Sequence, residues 1–171
     1  MSEIVLCCGK VGSGKSTYAR RLEAEHGFFL LSADEWMLRL HGEIADREEF
    51  ADKLSRCKAM IDDLARGLLD RGVDVVLDSG FWTREERAKA RALFAQAGHR
   101  VSLLHFAISD GQQRANLAAR NSGAAGFHYA FDEATVQQLN RFFEAPVDDE
   151  GALTPAEHSA SLGRTSGAKP G

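Results

Sequence analysis

Cysteine is scarce in this chain, and its three copies form no pattern that implies disulfides or a metal centre. Cys7 and Cys8 are adjacent in an apolar run and Cys57 lies far from them, so the three cannot all pair. The six histidines show neither HxxxH nor cysteine-linked spacing, which excludes the common zinc patterns. We therefore expect the cysteines to be buried small hydrophobic side chains and assign no histidine a catalytic role.

Long apolar runs and an excess of positive charge are also missing. No run approaches the roughly 20 residues that span a bilayer, and the amino terminus lacks the basic and apolar segments of a signal peptide. We therefore expect a cytoplasmic protein with no membrane partner. The net charge of −4 has the wrong sign for a protein whose whole surface tracks nucleic-acid phosphates, which disfavours nucleic acid as a partner and leaves a local basic pocket open.

The remaining composition is that of one ordinary globular domain, with 171 residues, 44% hydrophobic and 27% charged. Short apolar runs alternate with stretches of helical periodicity, which predicts an α/β fold with a parallel sheet covered on both faces. The predicted strands are Ile4–Cys8, Phe28–Ser32, Val73–Asp78 and Val101–Ile108. The predicted helices are Lys15–Glu25, Glu35–Leu40, Arg47–Asp70, Gly111–Asn121 and Asp132–Glu144. A further helix is predicted to begin at a capping box formed by Thr83 and Glu86 and to end at Gly98.

The composition changes near residue 150. Residues 1–150 are expected to form the domain, with a lid at about 110–131 that contains the small-residue linker Ser122–Gly126. From Asp148 onward, Gly, Ser, Ala and Pro mix with scattered charges and no apolar periodicity. Residues 151–171 are therefore expected to be a largely disordered tail, above all Gly163–Gly171.

A phosphate-binding motif directly follows the first predicted strand and precedes a predicted helix. The G-x-x-x-x-G-K-[ST] pattern and its next residue are Gly9, Lys10, Val11, Gly12, Ser13, Gly14, Lys15, Ser16 and Thr17. The glycines let backbone N–H groups converge on phosphate oxygens at a helix amino terminus. Lys15 is predicted to contact the β- and γ-phosphates of ATP, and Ser16 to coordinate Mg²⁺. The strand–helix context disfavours the alternative, a chance glycine-rich turn.

Two carboxylates end neighbouring apolar runs. Asp34 follows the second strand, and ligands of open α/β sheets sit beyond the carboxyl ends of strands, so we favour Asp34 as the base for an attacking hydroxyl over a role as a helix cap. Asp78 closes the third strand and is the candidate partner of the magnesium ion; the alternative is a surface turn. Arg39 is a candidate to hold an anionic part of the acceptor, or else a solvated arginine. Trp82 either lines the acceptor pocket or, the favoured alternative, packs beneath the next helix.

Arginines beyond the fourth strand fit a mobile lid over the phosphates. Arg120 and Arg114 are the candidate stabilisers of charge on the transferring phosphoryl group, and for each the alternative is an exposed helical arginine. By contrast, Arg84 and Arg87 alternate with two glutamates, which predicts a solvated, self-paired helical face.

Several segments together resemble a family of P-loop kinases known as AAA-type ATP-binding proteins. They are Gly9–Thr17, Ser32–Trp36, Leu77–Trp82, Leu117–Asn121 and Phe143–Pro146, and the resemblance covers about residues 1–150. This group is similar to chloramphenicol phosphotransferase, polynucleotide 5′-kinase and the zeta toxins. The resemblance implies a three-layer P-loop NTPase sandwich with four or five parallel strands and a helical lid, and it implies that Asp34 is the shared base after the second strand.

The chain departs from the family pattern at two places. Where the family's lid commonly has arginines four residues apart, the position four before Arg120 is Asn116, so Arg114 is a substitute candidate. Gly151–Gly171 also contains no apolar run for the fifth strand that usually borders the adenine site.

These features favour an ATP- and Mg²⁺-dependent phosphotransferase that phosphorylates a hydroxyl of a small molecule. A nucleotide-binding switch or regulatory NTPase is the alternative from another class, and a polynucleotide 5′-hydroxyl kinase is an alternative among the kinases. The sequence does not identify the acceptor.

Overall fold

The computed structural model describes residues 1–123, 129 and 131–165. Four strands and seven α-helices alternate along this part of the chain. The strands are β1 (Glu3–Cys8), β2 (Phe29–Ser32), β3 (Val75–Gly80) and β4 (Arg100–His105). The helices are α1 (Lys15–His26), α2 (Ala33–His41), α3 (Arg47–Leu69), α4 (Arg84–Gln96), α5 (Asp110–Gly123), α6 (Glu133–Asn140) and α7 (Pro155–Thr165), with a short 3₁₀ turn at Asp148–Glu150.

The four strands form one parallel sheet in the order β2-β3-β1-β4. Leu6 of β1 pairs with Leu77 on one side and Leu103 on the other, so all the strands point the same way. The predicted α/β class and parallel sheet are confirmed. Because the carboxyl ends of parallel strands meet at one edge, the segments after β1, β2 and β3 converge there, which brings the phosphate-binding loop close to Asp34 and Asp78.

Hydrophobic side chains on both faces of the sheet make this a three-layer structure. One core cluster joins β-strand residues to α2, α3 and α4, and the other joins the opposite face to α1 and α7. The three cysteines are free and buried, as predicted. The capping box of Thr83 and Glu86 is also confirmed at the start of α4. No helix in the described part of the chain is long and apolar enough to cross a membrane.

The segment after Glu150 differs from the expected disordered tail. Leu153 forms an isolated parallel bridge with Leu104, at the position where a fifth strand would lie. Pro155–Thr165 then forms α7, whose His158 and Leu162 are buried against the sheet and α1. The prediction of disorder was therefore wrong for this helix, because two buried side chains one turn apart anchor it. Residues 166–171 lie outside the described part.

Two further expectations need correction. Helix α6 ends at Asn140 rather than continuing to Glu144, because the chain turns there to bond Glu144 N–H to the carbonyl of Trp82. Arg87 is only 1% exposed and not part of a solvated face, because the buried Glu150 binds its guanidinium. Most of the predicted linker Ser122–Gly126 lies outside the described residues.

Candidate active site

The phosphate-binding loop has the backbone conformation that its glycines predict. Gly12 and Gly14 adopt left-handed conformations, with φ of 75° and 94°. A side chain at Gly9 would place its Cβ 2.7 Å from Ser13 Oγ and 2.9 Å from the Phe106 carbonyl oxygen. No side chain caps the amino end of α1, so its first N–H groups are free for an anion.

The side chain of Lys15 folds back onto the start of this loop. Its Nζ donates hydrogen bonds to the carbonyl oxygens of Gly9, at 2.8 Å, and Lys10, at 2.7 Å. Desolvation lowers the pKa of Lys15, and the nearby carboxylate of Asp78 opposes that shift. The ammonium group is thus held by two carbonyl oxygens of the loop, where a bound phosphate would add negative charge beside it.

Ser16 and Asp78 are in direct contact. Ser16 Oγ donates a hydrogen bond of 2.6 Å to Asp78 Oδ2, and Asp78 is nearly buried at the end of β3. A hydroxyl and a carboxylate are the hard oxygen ligands that Mg²⁺ accepts, and Mg²⁺ keeps several waters instead of requiring a full set of protein ligands. The pair therefore fits the predicted magnesium site.

Asp34 lies in the first turn of α2 with a free carboxylate. The cap of this helix is Ser32, whose Oγ accepts the N–H of Glu35 at 3.4 Å, so Asp34 is not the cap. Asp34 is an exposed residue, and no hydrogen bond or ion pair joins its side chain to another described residue. Neighbouring protein groups partly desolvate the carboxylate and raise its pKa, and the charge of Asp78 raises it further.

Three cations on different elements influence Asp34. The positive charges of Lys15 on α1, Lys58 on α3 and Arg120 on α5 each lower the pKa of Asp34. Sequence reasoning predicted Lys15 and Arg120 but missed Lys58. Lys58 lies within the predicted helix Arg47–Asp70, and only the fold shows that this part of α3 lies near Asp34.

Tyr129, which follows α5 in the chain, contacts both Arg120 and α3. Arg120 Nη2 donates to the Tyr129 carbonyl oxygen at 2.8 Å, and its guanidinium lies 5.9 Å from the ring centre of Phe131. The Tyr129 ring meets Phe50 of α3 edge-on, with ring centres 5.9 Å apart. Arg120 Nε and the Tyr129 hydroxyl are buried without a hydrogen-bond partner among the described residues. The site therefore keeps unused donors on its lid side.

Helix α5 is also attached to the phosphate-binding loop, through residues that sequence reasoning did not assign. Gln113 Nε2 donates to the Val11 carbonyl oxygen and Asn116 Nδ2 to that of Gly12, both at 2.8 Å. Leu117 packs so closely on Gly12 that a Cβ there would lie 2.9 Å from Leu117 Cγ. The helical spacing of these residues with Arg120 was the available signal, because all lie on one face of α5.

The remaining candidates lie outside this cluster of contacts. Arg114 is exposed on α5, and no hydrogen bond or ion pair joins it to a described residue. Arg39 forms an ion pair of 2.7 Å with Glu35 and is more than half exposed. Trp82 packs over Gly80 and meets Phe143 edge-on at 6.1 Å between ring centres. Their functional roles stay predictions.

Comparison with known proteins agrees with this geometry. A family model described as an AAA domain matches residues 4–146. The chain belongs to this family. The family's fold is that of the P-loop kinases, with which the chain shares its sheet and phosphate-binding loop. A comparison with curated proteins returns no match.

Solved structures of P-loop kinases share the fold of this AAA-domain chain. It is similar to a gluconokinase from Sinorhizobium meliloti, with TM-score 0.65, 17% identity and coverage of 96% of this chain and 93% of that one. A sugar kinase from Janibacter sp. gives TM-score 0.60 at 18% identity, covering 90% and 84%. A chain of the Pnkp1/Rnl/Hen1 RNA repair complex gives a TM-score of 0.63 at 16% sequence identity, and the match covers 85% of this chain and 48% of that one. At these identities the likeness shows the fold alone.

Proposed function

We propose that the protein is an ATP- and Mg²⁺-dependent phosphotransferase that phosphorylates a hydroxyl group of a small molecule. The observation that carries this proposal is the free carboxylate of Asp34, which lies near the charges of Lys15 and Asp78 and is not used as a helix cap. A carboxylate in this position can accept a proton from an acceptor hydroxyl. A switch that hydrolyses nucleotide slowly has no need of a base that faces an acceptor cleft.

The proposed reaction divides the work among the described residues. The loop N–H groups and Lys15 bind the β- and γ-phosphates, and Ser16 with Asp78 would hold Mg²⁺, which neutralises phosphate charge when bound. The acceptor oxygen attacks the γ-phosphorus as its proton passes to Asp34. The bond from that phosphorus to the β-phosphate oxygen breaks, and ADP leaves. Arg120 faces the charge that spreads over the transferring oxygens.

Two observations favour a small acceptor over a polynucleotide end. The contact between Tyr129 and Phe50 joins the expected lid to α3, and we expect it to restrict the approach of a large acceptor. The net charge of the chain is −4, which gives no general attraction for a phosphate backbone. The gluconokinase and sugar kinase among the structural neighbours act on small molecules by their names, whereas the RNA repair chain keeps the polynucleotide alternative open to test.

The proposal is tested by acceptor screening with labelled ATP. Wild-type protein and the Lys15→Ala variant are incubated with nucleosides, sugars, aminoglycosides, chloramphenicol-type alcohols and RNA 5′-ends, and labelled products are separated. We expect Mg²⁺-dependent label on a small alcohol with the wild type and none with Lys15→Ala, which loses its phosphate contact. ATP hydrolysis without transfer to any acceptor would contradict the kinase proposal and favour the regulatory NTPase.

A further inference from the structure

Three side chains of α5 contact three consecutive residues of the phosphate-binding loop, and they are spaced three residues apart on one face of the helix. The pairs are Asp110 with Lys10, Gln113 with Val11 and Asn116 with Gly12. The first pair is an ion pair of 3.1 Å that involves an exposed carboxylate, so it contributes little. The other two are hydrogen bonds of 2.8 Å from side-chain amides to backbone carbonyl oxygens, and they hold the loop more firmly.

These two hydrogen bonds also fix the direction of two backbone N–H groups. In a planar trans peptide a carbonyl group and the following N–H point in opposite directions, and the described part of the chain contains no cis peptide. Because α5 holds the carbonyl oxygens of Val11 and Gly12, the N–H groups of Gly12 and Ser13 point away from α5. The Ser13 N–H donates across the loop to the Lys10 carbonyl oxygen at 3.3 Å, and the same oxygen accepts Lys15 Nζ. The Ser13 N–H therefore faces the side of the loop where the Lys15 ammonium group lies.

Gly12 is the flexible point of this part of the loop. It has a φ of 75°, and a glycine has no side chain to restrict the peptide groups on either side of it. Leu117 of α5 fills the space beside it, because a Cβ on Gly12 would lie 2.9 Å from Leu117 Cγ. Helix α5 thus restrains Gly12 by packing as well as by hydrogen bonds.

A second amide, that of Asn140 at the end of α6, orients the Gln113 side chain. Gln113 Nε2 donates to Asn140 Oδ1 at 3.1 Å, and Asn140 Nδ2 donates to Gln113 Oε1 at 2.8 Å. The reverse orientation of Gln113 would place its oxygen against the Val11 carbonyl oxygen, where neither atom can donate. Gln113 is only 2% exposed, so water cannot replace it as the donor to Val11. Asn140 therefore acts on the loop through Gln113.

We propose that Gln113 and Asn116 are positioning residues of the phosphotransfer site. By holding two carbonyl groups of the loop, they keep the N–H groups of Gly12 and Ser13 directed toward the phosphates of the nucleotide. Asn140 contributes through its pair with Gln113. The inference rests on the proposed kinase function, because it requires that the loop binds ATP. None of the three amides needs to touch the nucleotide, so their effect is on the direction of donors that do.

The test measures the Kd of the folded protein for ATP and for inorganic tripolyphosphate, by calorimetry with Mg²⁺. Gln113→Met and Asn116→Ala remove the two donors without adding charge, and Gln137→Met makes the first change at an exposed position of α6. We expect both Kd values to rise by the same factor, roughly 10–100-fold for Gln113→Met. The rise should be roughly 3–10-fold for Asn116→Ala, because water can reach this half-buried position and replace the donor. Gln137→Met should bind both ligands as the wild type does.

A double-mutant cycle tests the role of Asn140. Asn140→Ala should raise the Kd for ATP roughly 3–10-fold in the wild-type background and have almost no effect in the Gln113→Met background, because it acts through Gln113. Additive effects of the two changes would contradict that part of the inference.

Urea denaturation of the same variants separates positioning from folding. A purely structural role lowers the free energy of unfolding and leaves the Kd of the folded protein unchanged. Folded Gln113→Met and Asn116→Ala proteins with wild-type Kd values would therefore show the inference to be wrong while the kinase proposal stands. If Gln113→Met does not fold, the Kd values of Asn116→Ala decide, because its half-buried side chain is easier to replace. If the wild type does not bind ATP, the proposed function fails and this inference falls with it.

Discussion

At the scale of single residues, the charges around Asp34 influence the pKa of its carboxyl group and so its use as a base. Desolvation and the charge of Asp78 raise its pKa, whereas the positive charges of Lys15, Lys58 and Arg120 lower it. A base works best when its pKa approaches the working pH, because it is then ionised and still able to take a proton. The arrangement thus raises the pKa of Asp34, which is the direction that suits a general base.

The two lid arginines should differ in importance. Arg120 faces Asp34 and keeps a buried unpaired Nε, whereas Arg114 is exposed. We expect Arg120→Ala to lower kcat for transfer roughly 10²–10³-fold with little change in ATP affinity, because the charge acts mainly in the transition state. Arg114→Ala, measured in the same steady-state assay, should have a far smaller effect. If Arg120→Ala weakens ATP binding alone, the residue acts in ground-state binding instead.

At the scale of elements, a buried arginine holds the loop between β3 and α4. Arg87 Nε and Nη2 bind the two carboxylate oxygens of Glu150 at 2.6 and 2.9 Å, and Nη1 donates to the carbonyl oxygens of Phe81 and Glu144. Phe81 has a φ of 43°, a strained value for a side chain of its size. The guanidinium therefore fixes a strained turn directly after Asp78.

Replacement of Arg87 should be severe, and Arg84 supplies the control. Arg87→Met leaves the Glu150 carboxylate buried without its cationic partner and with only the N–H of Val147 as a donor, so the free energy of unfolding should fall by about 3–5 kcal/mol. Arg84→Met removes only an exposed pair with Asp149 and should cost less than about 1 kcal/mol. Urea denaturation of both variants measures the difference. Equal small losses in the two variants would show that the buried pair is not a stabilising clamp.

These residues also show where sequence reasoning stops. The apolar runs and the helical stripe of α3 predicted the sheet and most helices, because local periodicity reports which face is buried. The exposed appearance of Arg87 was misleading, because its partner Glu150 lies far along the chain. Gln113 and Asn116 were missed for the same reason, since their partners are carbonyl groups of a distant loop.

At the scale of the whole molecule, α7 packs on the same face of the sheet as α1. Tyr18 of α1 contacts His158 Nδ1 at 2.8 Å and Ser159 Oγ at 3.0 Å, and His158 Nε2 lies 3.4 Å from Glu3 of β1. The sequence analysis missed this contact, because the small residues around His158 and Leu162 have a composition that predicts a disordered tail. The carboxyl-terminal helix is thus tied to the helix that carries Lys15 and Ser16.

Loss of this anchor should weaken the fold. His158→Ala removes a fully buried ring between α1, α7 and β1, so the free energy of unfolding should fall by roughly 2–5 kcal/mol, as in other large-to-small core substitutions. Ala160→Ser on the exposed face of α7 should change it by no more than about 0.5 kcal/mol. Thermal unfolding followed by circular dichroism compares the two. An unchanged midpoint for His158→Ala would mean that α7 contributes nothing to stability.

The pH dependence of transfer follows from the same account. Because the pKa of Asp34 is raised, its basic form is lost as the pH falls through that raised value, which lies above the ordinary 3.8. The wild-type rate should therefore decline on the acid side at a higher pH than an unperturbed aspartate would give. Asp34→Asn should lack this acid limb.

The most direct test of the central claim is phosphoryl transfer by Asp34→Asn to the acceptor found by screening, measured beside ATP binding and beside Asp78→Asn. The account predicts a loss of roughly 10²–10⁴-fold in transfer by Asp34→Asn with ATP affinity preserved and no rescue by added Mg²⁺. Asp78→Asn should instead show a defect that depends on Mg²⁺ concentration. Wild-type transfer by Asp34→Asn would contradict the assignment of Asp34 as the base.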